Sequence, residues 1–307
     1  MKGEMTKQDF QPIGKDKRVN QDIFRPTISY WADAWIKIKN NKMALISLII
    51  LTLIIIMIIF GPYIVPYKYY EQDYDNTNIS PGEQGHIFGT DSLGRDLFSR
   101  LWIGGRVSII IGIIVALLSM AIGVIYGGVA GYFGGRIDNI MMRFVDVMLT
   151  IPGLLINIML LIVLEPGITT IIIAFGITGW LSMARLVRGQ VLQLKEQEYV
   201  LAARILGASN RRIIIKHLIP NTMGPIIVEM TLVIPSAIFG EAFLSYIGLG
   251  VRPPMASWGI LASEGIKVMR FFPYQLIIPG IIISLTILSF NLLGDGLRDA
   301  LDPRHRI

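Results

Sequence analysis

The sequence predicts an all-α, polytopic membrane protein with six transmembrane helices. Two observations carry this. Hydrophobic residues make up 53% of the 307 positions and charged residues only 16%. With Gly counted in place of Tyr the apolar share is about 60%, against roughly 45–50% in soluble domains, about a quarter of whose residues are charged. The second observation is six long windows almost free of charge, and a helix needs about 20 mostly apolar residues to cross the hydrocarbon. This excludes a soluble enzyme, a disordered chain and a disulfide scaffold. The chain has no Cys, hence no thiolate metal site and no Cys nucleophile.

The windows fall in order. Met43–Val65 is a charge-free run of 23 residues and Val107–Gly135 one of 29. Val147–Leu164 and Pro166–Ala184 hold 18 and 19, separated by Glu165, so Glu165-Pro166-Gly167 reads as a tight turn between antiparallel helices. Asn221–Gly240 is interrupted only by Glu229, and Phe271–Gly294 runs for 24 residues. The first run starts too late and is too long for a signal h-region, and reads as an uncleaved anchor. Six spans place both termini on one side. That side holds 21 Lys/Arg and the other 7, which by the positive-inside rule makes the termini cytoplasmic. The net charge of +6 therefore reads as orientation, and no nucleic acid is expected as a partner.

The resulting organisation is a cytoplasmic N-terminal tail over 1–42, an anchor helix over 43–65 and an outer loop over 66–106. A five-helix core over 107–294 follows, with a cytoplasmic loop at 185–219 and an outer loop at 241–270. A C-terminal tail covers 295–307. Residues 1–24 are polar and expected to be poorly ordered. Ile28, Trp31, Ala32, Trp35 and Ile38 recur at helical spacing beside Lys37, Lys39 and Lys42, the pattern of a short helix lying in the lipid interface. Tyr67, Tyr69, Tyr70 and Tyr74 fit an interfacial aromatic belt. Ser119, Gly123, Gly127, Gly131 and Gly135 recur at every fourth position, which lets two helix backbones approach closely; internal packing is expected.

Chemistry is sparse. There is no GxxxxGK[ST] phosphate loop and no GxSxG, and His86, His217 and His305 are scattered without an HExxH. No metal and no catalytic residue is expected in this chain. Glu229 stands alone inside a span, where a carboxylate costs about 2.5–3.5 kcal/mol on insertion scales. It is either a pathway residue or a hydrogen-bonded carboxyl locking two helices. The segment 198–210 reads as a thin helix with small residues among charges, stopping near Gly207 and Ser209. A basic stretch, Arg211–His217, then ends at Pro220.

The spacing Leu201-Ala202-Ala203, Gly207, His217, Ile219, Pro220 resembles the EAA loop of ABC importer permeases, E-A-A-x3-G-x9-I-x-L-P. Leu201, His217 and Ile219 stand where the pattern has Glu, Ile and Leu. The run from His86 to Arg100 resembles the GTDxxGRDxxSR stretch of dipeptide and oligopeptide permeases. Glu241–Gly250 with Pro253, Pro254 and Ser257-Trp258-Gly259 resembles their EAxLSFLGLG…PPxxSWG stretch, and 298–304 their RDxLDPR tail. Together these are similar to the C-type permease subunit of the peptide/nickel importer family. The resemblance implies the ABC importer permease fold and a pathway shared with a second, related permease. It also implies two ATPase subunits that bind ATP and magnesium, and an outer binding protein that delivers peptide. It makes 198–210 the coupling helix, with Glu198, Ala202, Ala203, Arg204, Gly207, Ala208, Arg211, Arg212 and Pro220 as candidate ATPase contacts. Pro253, Pro254 and Trp258 become candidate contacts for the binding protein. A permease for nickel or another small solute, or a self-sufficient secondary transporter, is the alternative.

Overall fold

The computed structural model describes residues 30–301, and side chains from Ala32 onward. Residues 1–29, including Ile28, and 302–307 lie outside the described residues, as does the Trp31 side chain. Among the described residues no strand forms; one antiparallel bridge pairs Thr90 with Asp96. Helix α1 spans Tyr30–Asn40 and α2 spans Lys42–Phe60. The Asn41 side chain caps α2 by accepting from the Met43 and Ala44 amides. Ala34 and Ile38 of α1 are buried with Ala44, Val228, Ala300 and Leu301, so the apolar side of α1 rests on the bundle. Trp35 stays half exposed, with Lys39 Nζ 5.3 Å from its ring.

Helices α3 (Leu97–Phe133) and α6 (Ile168–Leu194) form the centre and share the most extensive helix contact. The small-residue stripe lies between them. A Cβ on Gly123 would stand 2.6 Å from Met183 Cβ, and one on Gly131 2.8 Å from the Arg188 carbonyl. One on Gly127 would meet the Ala184 carbonyl oxygen. Fully buried Ser119 faces Gly179. Gly135 falls outside this contact, because α3 stops at Phe133 where Gly134 takes φ +64, and no atom lies within 4 Å of a Cβ placed on Gly135.

The third span departs from a straight Val147–Leu164 helix. It is a bent pair, α4 (Gly135–Thr150) and α5 (Gly153–Leu164), turned by 79°. The cause is Pro152: it lacks an N–H, and it pushes Ile151 out of the helical region to φ −85, ψ 124. With 12 residues, α5 is only about 18 Å long, short of a roughly 30 Å hydrocarbon core. Among the described residues five other helices are long and apolar enough to cross a membrane, and the bent pair, counted as one span, brings the number to six.

Helix ends also differ from the charge-free windows. Helix α3 begins ten residues before Val107, capped by Asp96, whose Oδ2 accepts from the Ser99 amide at 2.7 Å. Helix α6 continues ten residues past Ala184. Charges enter these helices because they are satisfied there. Arg106 donates to the Ile58 and Ile59 carbonyls at 2.8 Å, and Arg188 pairs with Asp138 at 2.6 Å. Helices α7 (Glu198–Ile205) and α8 (Asn210–Ile213), a π-helical segment (Ile214–Leu218) and α9 (Ile219–Tyr246) follow. Pro220 does not end the basic stretch. It stands at the second residue of α9, directly after the π-helical segment, and the helical run continues through it over Asn210–Tyr246. Helix α10 (Trp258–Val268) packs against α9, α11 and α3, and α11 is Tyr274–Leu301.

Substituting Gly127 by Val overpacks the α3–α6 contact, a change that costs about 1–3 kcal/mol or more in tight cores. Gly280→Ala, at a helical position with open space around it, is expected to be neutral or slightly stabilising. Thermal unfolding of the two detergent-solubilised variants measures the difference; equal melting temperatures would refute the close-contact account.

Candidate functional site

Two constructions stand out, one at each end of the bundle. The first is the connection from α6 to α9, at the end where α1 meets α11. Val200, Ile213 and Leu218 are fully buried against Tyr132, Met183, Val187, Val191 and Ile226. Those anchors root a projecting tip. The Tyr132 hydroxyl donates to Asn210 Oδ1 at 2.7 Å, and the Arg204 guanidinium lies 5.8 Å from the Tyr132 ring. Burial lifts the Tyr199 phenol above its ordinary value, opposed by a hydrogen bond with Asn221.

The helix at the tip ends earlier than 210. The Gly207 amide donates to the Arg204 carbonyl and the Ala208 amide to the Ala203 carbonyl, both at 3.0 Å. This is a Schellman stop, and it needs a left-handed residue at Gly207, where φ is +81. Nothing lies within 4 Å of a Cβ at Gly207, so its role is conformational and not close approach within the chain. Ser209 Oγ then caps α8 by accepting from the Arg212 amide.

Glu198, Ala202, Arg204, Gly207, Arg211, Arg212 and Pro220 are exposed; Ala203 and Ala208 are half-buried. The sequence reading missed the most exposed apolar pair in this tip. Ile205 and Leu206 are each 86% exposed. Their position just before a helix-stopping Gly was the available signal.

The second construction closes the opposite end. Buried Asp91, Arg95 and Arg100 and half-buried Glu264 form a charged cluster that ties the 61–96 segment to α10. Arg95 Nε meets Asp91 Oδ2 at 2.7 Å, and Arg100 also reaches Asp91. Glu264 receives both guanidinium groups, at 3.1 and 2.9 Å. His86 Nδ1 lies 2.8 Å from Asp96 Oδ1, and its ring stacks on Tyr67. Gln275 donates to the Asn78 side chain and the Thr90 carbonyl, which adds α11 to the tie.

Below this cap lies Glu241, wholly buried on α9. Its carboxylate accepts from Ser257 Oγ at 2.6 Å, Ser245 Oγ at 2.8 Å and Ser108 Oγ at 3.1 Å. The clasp joins α3, α9 and the start of α10. Ending the fifth window at Gly240 had put this residue in a loop. The carboxyl that locks helices is therefore Glu241. The half-buried side chain of Glu229 makes no hydrogen bond among the described residues, and the charge acting on it is Arg298 of α11.

Trp258 corrects another expectation. It is fully buried, and its Nε1 donates to the Leu101 carbonyl at 2.9 Å, so it is not a surface for a docking protein. Its indole fills the space beside Gly105 where α10 enters the bundle. Pro253 and Pro254 are exposed. Among the described residues no group of three or more His, Asp or Glu is placed to hold a metal.

The family model described as binding-protein-dependent transport system inner membrane component matches residues 119–307. A second, described as the N-terminal TM domain of oligopeptide transport permease C, matches 29–81. The chain is 50% identical to the oligopeptide transport system permease protein of Bacillus subtilis, over 98% of each chain. It is also 50% identical to the dipeptide transport system permease protein of that organism, over 96% of this chain and 92% of the other. The oligopeptide permease of Escherichia coli K12 is 42% identical over 91% and 92%.

Replacing Glu241 by Ala takes the acceptor from the O–H groups of three buried serines, and an unsatisfied buried donor costs about 1–3 kcal/mol. Glu241→Gln keeps one acceptor oxygen and is expected to be milder. Melting temperatures in detergent should fall in the order wild type, Gln, Ala; an unchanged Ala variant would sink the clasp.

Proposed function

The chain belongs to the family of binding-protein-dependent transport system inner membrane components, and on that premise we propose that it is a transmembrane permease subunit of an ATP-driven peptide importer. The observation that carries the peptide assignment is identity of 50% across nearly the full length to permeases named for oligopeptides and dipeptides. In this reading the chain supplies half of the translocation pathway and a second, related permease the other half. It catalyses nothing itself. Two P-loop ATPase subunits bind ATP and magnesium on the cytoplasmic side, and an extracellular binding protein delivers peptide. The chain sits in a bacterial plasma membrane among lipids, with both termini cytoplasmic, as the Lys/Arg asymmetry supports.

The tip of α7 is the coupling element. Its roots are buried in the bundle and its apex, Ile205 and Leu206, is bare. Fully burying one such side chain is worth about 1.5–3 kcal/mol, so a groove on an ATPase that takes both holds the tip firmly. Exposed Arg204, Arg211 and Arg212, before and after the apex in the chain, offer donors for carboxylates or backbone carbonyls. The Schellman stop at Gly207 keeps the apex short and stiff. ATP-driven closure of the ATPases then displaces the tip, and the bundle rocks between outward-open and inward-open states. The outer segment with exposed Pro253 and Pro254 faces the binding protein.

Affinity purification of the tagged chain in mild detergent, followed by mass spectrometry, tests the assembly. Two P-loop ATPases and a second permease are expected; recovery of the chain alone from cells expressing those partners would overturn the reading. Leu206→Asp is expected to remove the ATPases from the purified complex and abolish uptake, while the second permease stays bound. Gly207→Val, forced into a left-handed conformation costing about 1–2 kcal/mol, is expected to impair uptake with the chain still inserted. Normal peptide uptake by both variants would exclude the tip as the coupling element.

A further inference from the structure

The tip is joined to the bundle in two ways. Through the chain itself it continues α6 and leads into α9. Helix α3 has no such connection, because α4, α5 and α6 lie between its last residue and the tip. It reaches the tip by non-covalent contact, and its last turn makes the polar contacts. Lys195 Nζ, where α6 passes into the tip, donates to the Gly131 carbonyl at 3.0 Å. The Tyr132 hydroxyl donates to Asn210 Oδ1 at 2.7 Å, at the start of α8. The Arg204 guanidinium lies 5.8 Å from the centre of the same ring.

We infer that Tyr132 is a positioning residue of the transport cycle, which carries the displacement of the tip across to α3 through its bond to Asn210. The inference rests on the reading of the tip as the coupling element. It adds the residue by which movement leaves the two helices that flank the tip.

The arrangement of the contacts supports this. They lie before the apex at Lys195, on the apex helix at Arg204, and after it at Asn210, so one helix end holds both flanks of the tip. Among the described residues, the bonds of Lys195 and Asn210 are the hydrogen bonds that take the tip to a helix outside the run from α6 to α9.

Burial decides whether such a contact passes movement on or absorbs it. Tyr132 is buried, and its ring belongs to the same apolar cluster as Val200 and Ile213, the residues that root the two sides of the tip. A close-packed ring has no free volume in which to swing, and a dense interior transmits strain. The ring therefore follows Asn210 only if the α3 backbone follows too. That backbone is a helix of 37 residues, about 55 Å long, which begins at the Asp96 cap and packs along α6. On its other side, two residues past Tyr132, the chain turns at Gly134 and Gly135, with φ +64 and +54, into α4. A pull on Tyr132 thus acts beside the elbow that carries the bent arm.

The test counts how much trialanine enters per ATP hydrolysed. The assembled transporter, with ATPases, second permease and binding protein, is reconstituted in vesicles. Tyr132→Phe keeps the ring and removes the donor. Asn210→Ala removes the acceptor from an exposed position, and reaches the same bond if the first variant does not assemble. Each is expected to retain its ATPases and hydrolyse ATP, and to import several-fold less trialanine per ATP. The double variant is expected to lose no more than either single one, since both remove the same bond. A merely structural Tyr132 lowers the yield of complex and leaves the ratio at its wild-type value; that result would overturn the inference, as would losses that multiply in the double variant. Leu206→Asp separates this from the reading beneath it. If Leu206→Asp keeps its ATPases and imports normally, the tip is not the coupling element and both fall. If Leu206→Asp is inactive while Tyr132→Phe and Asn210→Ala keep the wild-type ratio, the role of Tyr132 alone fails.

Discussion

Everything in this molecule hangs on the close approach of α3 and α6. In hydrocarbon, lipid tails are as apolar as Leu, so hydrophobic burial does not drive helices together. Contact distance has to supply the attraction, and it is short here because Gly123, Gly127 and Gly131 present bare backbone to Met183, Ala184 and Arg188. Each of the two helices then does a second task. Helix α3 starts in the charged cap at Asp96, and α6 ends beside the projecting tip, where Val191 packs with Val200. One rigid pair thus sets the relative position of both ends of the bundle.

The ends are built by different physics. The far end is closed by charge pairing whose centre, Asp91 with Arg95 and Arg100, is buried, with the part-exposed Glu264 across from both guanidinium groups. Breaking such a set leaves an uncompensated buried charge, so it behaves as a fixed lid. The other end is the reverse. Its anchors are apolar and buried, while its apex is apolar and exposed, a state that is stable only because the exposed patch is small.

Much of this was legible in the sequence, and the failures have physical causes. The spans were legible because long charge-free windows have few other uses in a chain of this length. Their ends were not, since Arg100, Arg106, Arg185 and Arg188 lie inside helices once a carboxylate or a carbonyl satisfies them. The break at Pro152 was written in the sequence, but a count of charges does not register a missing N–H. The Gly stripe was legible up to the residue where α3 stops. Trp258 was misread because its neighbours, Pro253 and Pro254, do lie at the surface; depth changes within four residues where α10 turns inward. Glu241 escaped because a carboxylate next to a window looks like the window's end, and only the tertiary fold brings Ser108 and Ser257 to it.

The continuity of the fifth span has a mechanical meaning. Residues Asn210–Tyr246 form one helical run of 37 residues, about 55 Å along its path, with Pro225 and Pro235 inside it. One end is hydrogen-bonded to α3 through Asn210 and Tyr132, and Glu241 sits near the other. A rod pivoting near its middle moves its ends in opposite directions, so a tilt of roughly 10° carries each by about 5 Å. The π-helical segment, Ile214–Leu218, lies near the end that holds Asn210, where the wider turn adds one residue to the helical repeat.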